Sequence, residues 1–142
     1  KVDFLLNQRI DNFIDIQKDL VSNEKMKLKN KLNELALPLI LDYLNTFDLQ
    51  TLSIKPWTIC KNLKNTEFHN DKSRNMMGHK HTIIIFLNDE YDGGGIIFKN
   101  RIGNDIVIPK TGDILIYPSN EEYEHRVLPI LGGTQFLAIS YF

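Results

Sequence analysis

Residues 81–98 read "HTIIIFLNDEYDGGGIIF". The first part is β-branched and aromatic, too short for a helix, and closes on a turn cluster, so it reads as a strand. Side chains alternate along a strand, which puts Thr82, Ile84 and Phe86 on one face and Ile83, Ile85 and Leu87 on the other. Both faces are apolar, as expected when one lines a pocket and the other meets a second layer. The "GGG" run follows where the chain must turn tightly or adopt positive φ, and "GIIF" then starts a new strand.

The same character recurs on both sides of this stretch. "LSIKPWTIC" (52–60) precedes this stretch, and "DIVIPK" (105–110), "DILIY" (113–117), "HRVLPI" (125–130) and "FLAISYF" (136–142) follow it. Turn clusters separate them, with Pro109 and Gly112 making a tight turn between two buried strands. Many short strands at close intervals predict a sandwich or barrel. The N-terminal third instead has helical spacing. Phe4, Leu5, Ile10, Phe13, Ile14, Ile16 and Leu20 form one run, and Ser22 and Asn23 offer caps for a second with Leu28, Leu32 and Leu35. Pro38 is expected to end or kink that helix, or to open another carrying Leu41, Leu44 and Phe47. The expected fold class is therefore α+β, one domain over 1–142, with a helical support layer over 1–50 and a β double sheet over 51–142.

Composition narrows the function classes. The chain has 142 residues and a net charge of −1, so no overall field favours nucleic acid or an anionic membrane. No apolar run approaches the ~20 residues of a membrane span. One cysteine, Cys60, excludes an internal disulfide. The start lacks both the order of a signal peptide and an initiator Met, which suits a trimmed chain. A soluble, cytoplasmic protein is the expectation.

The polar residues carry the chemistry. In "TEFHNDKSR" (66–74), His69 and Asp71 lie at i and i+2, on one face of an extended segment, where imidazole and carboxylate can meet one ion. His125 opens "HRVLPI". Two His and one carboxylate form a facial triad with open positions, an arrangement suited to non-haem Fe(II).

With these elements in order, the sequence resembles the 2-oxoglutarate- and Fe(II)-dependent oxygenases, in the prolyl 4-hydroxylase-like branch. The resemblance runs from about Trp57 to Phe142 and rests on "FHND", "TIIIFLND", "YDGGGIIF", "IVIPKTGDILIYPS", "HRVLPI" and "FLAISYF". It implies a double-stranded β-helix, or jelly roll, with the helices packed on one sheet. It also implies His69, Asp71 and His125 as metal ligands and catalytic centre, and Fe(II), 2-oxoglutarate and O2, with ascorbate as an auxiliary. The implied reaction hydroxylates a C–H bond in a peptide, protein or small molecule, a prolyl residue being the branch's substrate.

The chain departs from the pattern at the cosubstrate. Gln135 stands where the family has the basic residue that grips the far carboxylate, and Phe86 replaces an assisting tyrosine. A neutral amide offers no charged, bidentate match to a carboxylate. Thr82 and Lys80 share a face with Phe86, and Gln135, Thr82, Phe86 and Lys80 are the expected cosubstrate contacts, with Lys80 as a candidate substitute cation. The other reading is a catalytically impaired metal- or ligand-binding jelly-roll module. Elsewhere, His79 and His81 read as exposed, Trp57 as core or rim, and Cys60 as a buried small hydrophobe. Tyr123 is a candidate substrate contact, and Met76 and Met77 lie in a candidate covering loop over 72–78.

Overall fold

The computed structural model describes residues 6–9, 25–50, 54–63, 67–72, 79–99 and 106–142. Helix α1, Lys25–Thr46, presents Leu28, Leu32, Ala36, Ile40 and Tyr43 along one buried face, at the spacing of successive turns. It runs through Pro38 rather than ending there. The apolar stripe continues on both sides of the proline, so packing outweighs the missing backbone bond. Leu41, expected on the buried side, is exposed.

Among the described residues ten strands follow one another as β1 Leu6–Arg9, β2 Thr58–Lys61, β3 His81–Phe86, β4 Tyr91–Gly93, β5 Ile96–Phe98, β6 Ile106–Val107, β7 Asp113–Pro118, β8 His125–Val127, β9 Ile130–Gly133 and β10 Phe136–Tyr141. The larger sheet has the order β1-β7-β3-β10-β2, with antiparallel neighbours. Opposite it lie β6-β5-β8 and the pair β4-β9. This is the α+β jelly roll, with the helix laid against the larger sheet.

Two cores result, divided by β3. Ile83, Ile85 and Leu87 join Ile114, Ile116 and Ala138 against α1. Ile84 and Phe86 join Leu115, Leu137, Phe98 and Val127 between the sheets. The alternation predicted for 82–87 is the alternation observed. Gly93, at φ +84°, occupies the "GGG" turn, and a Cβ there would run into the Pro129 carbonyl oxygen.

Other expectations change. Leu6–Arg9 lies in the run read as helix, yet it pairs with β7, Leu6 opposite Ile116 and Arg9 opposite Asp113. Pairing there satisfies backbone groups that β7 would otherwise leave at a sheet edge, and this outweighs local periodicity. The remainder of that run, and the caps Ser22 and Asn23, lie outside the described residues. His79 and His81 are buried, not exposed. The His81 ring stacks on Phe142 at 5.1 Å and meets Tyr43 edge-on, so His81 joins the apolar layer. Trp57 is core, its Nε1 donating to Asn33 Oδ1 at 2.6 Å.

Candidate metal centre

His69 and His125 are brought together by the backbone. The His69 N–H donates to the His125 carbonyl at 2.9 Å, and the His125 N–H returns a bond to the His69 carbonyl at 2.8 Å. Residues that exchange both bonds stand opposite each other and project side chains to one face. The ring centroids are accordingly 4.4 Å apart. Asp71, two residues on from His69, reaches the same place, with Oδ1 at 3.9 Å from His69 Nε2. One ligand atom from each of the three lies within 4.8 Å of the others.

Each candidate ligand is held from behind. His125 Nδ1 lies 2.9 Å from the Tyr123 carbonyl and His69 Nδ1 lies 3.0 Å from the Glu67 carbonyl. A carbonyl only accepts, so each Nδ1 carries a proton, while His69 Nε2 lies 3.9 Å from Asp71 Oδ1 and His125 Nε2 lies 3.4 Å from the Tyr117 hydroxyl. Burial lowers the pKa of His125, against the opposing pull of Asp71 and the Tyr123 carbonyl, so the ring stays neutral near pH 7. Asp71 Oδ2 accepts from Thr82 Oγ1 at 2.9 Å and from the Tyr117 hydroxyl at 2.8 Å. With the Thr82 proton so committed, Ser119 Oγ donates to Thr82 Oγ1 at 2.8 Å. Burial first, then Asp71, raises the Tyr117 pKa well above the ordinary phenol value, which keeps that hydroxyl a donor.

The donor set fits a divalent metal. Two imidazole nitrogens and one carboxylate oxygen would hold it, a donor set that would leave further positions of an octahedral ion to reactants. They border a cavity of about 230 Å³ whose lining includes Thr82 and Tyr117.

The family model described as the 2OG-Fe(II) oxygenase superfamily matches residues 59–142. The chain belongs to that superfamily. A PKHD-type hydroxylase of Variovorax paradoxus (strain S110) is 36% identical over 61 residues, which is 43% of this chain and 25% of that relative. The match thus spans about a quarter of the relative's length. Among solved structures, a Pseudomonas putida prolyl-4-hydroxylase superposes with a TM-score of 0.75 at 16% identity, covering 97% of this chain and 84% of that one. The viral collagen prolyl hydroxylase of Paramecium Bursaria Chlorella virus-1, in its 2OG complex, gives 0.66 at 14% identity, covering 98% and 94%. At these identities the structures establish the fold, the jelly roll of the prolyl 4-hydroxylase-like oxygenases.

Other site candidates of this oxygenase chain fall elsewhere. Gln135 is fully buried, its Oε1 accepting from the Leu63 N–H and its Nε2 donating to the Tyr91 hydroxyl, each at 3.2 Å. Phe86 lies in the core between the sheets. Lys80 is exposed just before β3. None of the three is in the cavity lining, whereas Thr82 is. Tyr123 is buried against Phe98 and offers no exposed ring to a substrate. Phe68 and Arg126, the neighbours of the bridged pair, turn to the other face, where the guanidinium sits 5.3 Å from the ring centre. Residues 73–78 of the expected covering loop lie outside the described residues. Among the described residues no helix is long and apolar enough to cross a membrane.

Sequence reasoning overlooked Tyr117, Ser119 and the cavity-lining role of Cys60. Tyr117 and Ser119 were findable in principle. They alternate with Leu115 on the inner face of β7 and its extension, and Tyr117 stands opposite Thr82. That register exists only once β3 and β7 are known to be neighbours.

Proposed function

We propose that this chain is an iron-dependent oxygenase that hydroxylates a C–H bond, with His69, Asp71 and His125 holding the metal. The observation that carries the proposal is the pair of Nδ1–carbonyl bonds together with the two hydroxyls on Asp71 Oδ2, which hold three ligand atoms within 4.8 Å of one another. When bound, such an ion with a 2-oxo acid and dioxygen supplies the oxidising power for the hydroxylation. The protein's part is to present the three donors, keep His125 neutral through its burial, and wall the reaction off from bulk water. The chain acts as one domain in this reading, the helix bracing the larger sheet.

A peptide or protein prolyl residue is the proposed substrate. Support comes from the names of its structural neighbours, prolyl hydroxylases, one of them a collagen prolyl hydroxylase. The second reading, a metal- or ligand-binding module without turnover, is favoured by one observation, the absence of Lys and Arg from the cavity lining among the described residues.

The two readings separate in a single series. Purified protein should take up one Fe(II), or Mn(II) in its place, and Asp71→Ala should abolish that uptake. Peptides exposed to the Fe(II)-loaded protein, a 2-oxo acid and oxygen should gain one oxygen atom by mass spectrometry. Uptake without any oxidised product or consumed oxo acid supports the module. Equal uptake by Asp71→Ala removes the triad assignment altogether.

A further inference from the structure

The cavity beside the triad is polar at one end and apolar at the other. Strand register fixes this gradient. On the larger sheet Tyr117 and Tyr141 flank Thr82 beside the triad, and Leu115 and Ile139 flank Ile84 one step further along. Opposite, Phe98 pairs with His125, and one step along Ile96 pairs with Val127. Ile84, Ile96, Val127 and Ile139 therefore meet across the space away from the metal ligands, with Leu63 beside them.

We infer that this cavity selects a 2-oxo acid with an uncharged, apolar tail over 2-oxoglutarate, an inference that rests on the metal assignment above. The oxo-acid end of either compound would meet the metal and the hydroxyls around it. Only the tails differ. A second carboxylate would have to leave water among isoleucine and valine side chains, and no Lys or Arg among the described lining residues compensates for it. Gln135 does not supply the missing match. Its Oε1 holds the Leu63 N–H and its Nε2 holds the Tyr91 hydroxyl, while its own N–H is bound to Asn62 Oδ1 at 2.8 Å. The amide thus ties the loop after β2 to β4 rather than facing the cavity. A branched aliphatic tail, by contrast, gains from burial on the same side chains.

Mn(II) is titrated first into the full chain, with Asp71→Ala as control. 2-Oxoglutarate and 4-methyl-2-oxopentanoate are then titrated into the Mn(II)-loaded protein by calorimetry. The aliphatic acid is expected to bind at least about tenfold more tightly. With Fe(II) under anaerobic conditions it should produce the visible charge-transfer band at correspondingly lower concentration. Ile139→Lys places a cation at the apolar end and should reverse the preference. The unaltered protein decides the matter even if that variant fails to fold. Equal or tighter binding of 2-oxoglutarate, or no binding of either acid to the Mn(II)-loaded chain, overturns this inference and leaves the metal assignment standing. No Mn(II) uptake overturns both.

Discussion

Strand β3 has two faces that do different work. His81, Ile83, Ile85 and Leu87 look toward α1, where the surroundings are Leu32, Ile40, Tyr43 and Phe142. Thr82, Ile84 and Phe86, interleaved with them, look between the sheets, and Thr82 there bonds the Asp71 carboxylate. The first face is buried and devoted to packing. The second grades from a hydroxyl beside the candidate metal centre to a phenyl ring in the core. Neighbouring positions on one strand thus separate stability from chemistry, and substitutions should sort accordingly.

The largest effect is expected on the packing face. Ile85→Ala removes a fully buried side chain and should lower unfolding free energy by about 2–5 kcal/mol, read by urea denaturation. Metal affinity of the remaining folded molecules should be unchanged; a matching loss of affinity would erase the distinction between the faces. Acid titration sharpens the same face. Burial, and after it the charge of Lys80, pushes the His81 imidazole down to about 4 from 6.5. Between those values the unfolded chain binds more protons than the folded one, so stability is complete above pH 6.5 and falls as pH drops toward 4. The loss should be on the order of 2 kcal/mol over that window, and His81→Phe should flatten it. An unaltered slope in that variant would assign the acid sensitivity elsewhere. Smallest in free energy is a change facing the cavity. Tyr117→Phe removes one of two hydroxyls on Asp71 Oδ2 and should weaken Mn(II) binding about tenfold with little change in melting temperature. A large drop in melting temperature with unchanged affinity would move Tyr117 from the chemical face to the structural one.

What was legible in the sequence was local. The period of two in "TIIIFL" sorts side chains without knowledge of partners, and His69 with Asp71 needs only an extended segment. His125 joined them through family order, not geometry. Features that depend on neighbours distant in sequence were not legible. Leu6–Arg9 is a strand because β7 has an edge to fill, and α1 survives Pro38 because the sheet receives its apolar stripe. Tyr117 becomes visible only through the β3–β7 register, and the burial of His79 and His81 only through the layer that covers them. Gln135 is legible in the sequence as a departure from the family's pattern, but its amide's commitment to Leu63 and Tyr91 needs the turned chain.

The reciprocal bridge between His69 and His125 also sets an order of events. One imidazole leaves the ribosome well before the other, and the earlier one has no mate until β8 emerges and docks. Closing so distant a contact costs loop entropy and requires the intervening chain to be present. A nascent chain therefore carries no finished chelating site, and uptake of the ion can serve as a clock for completion of the barrel.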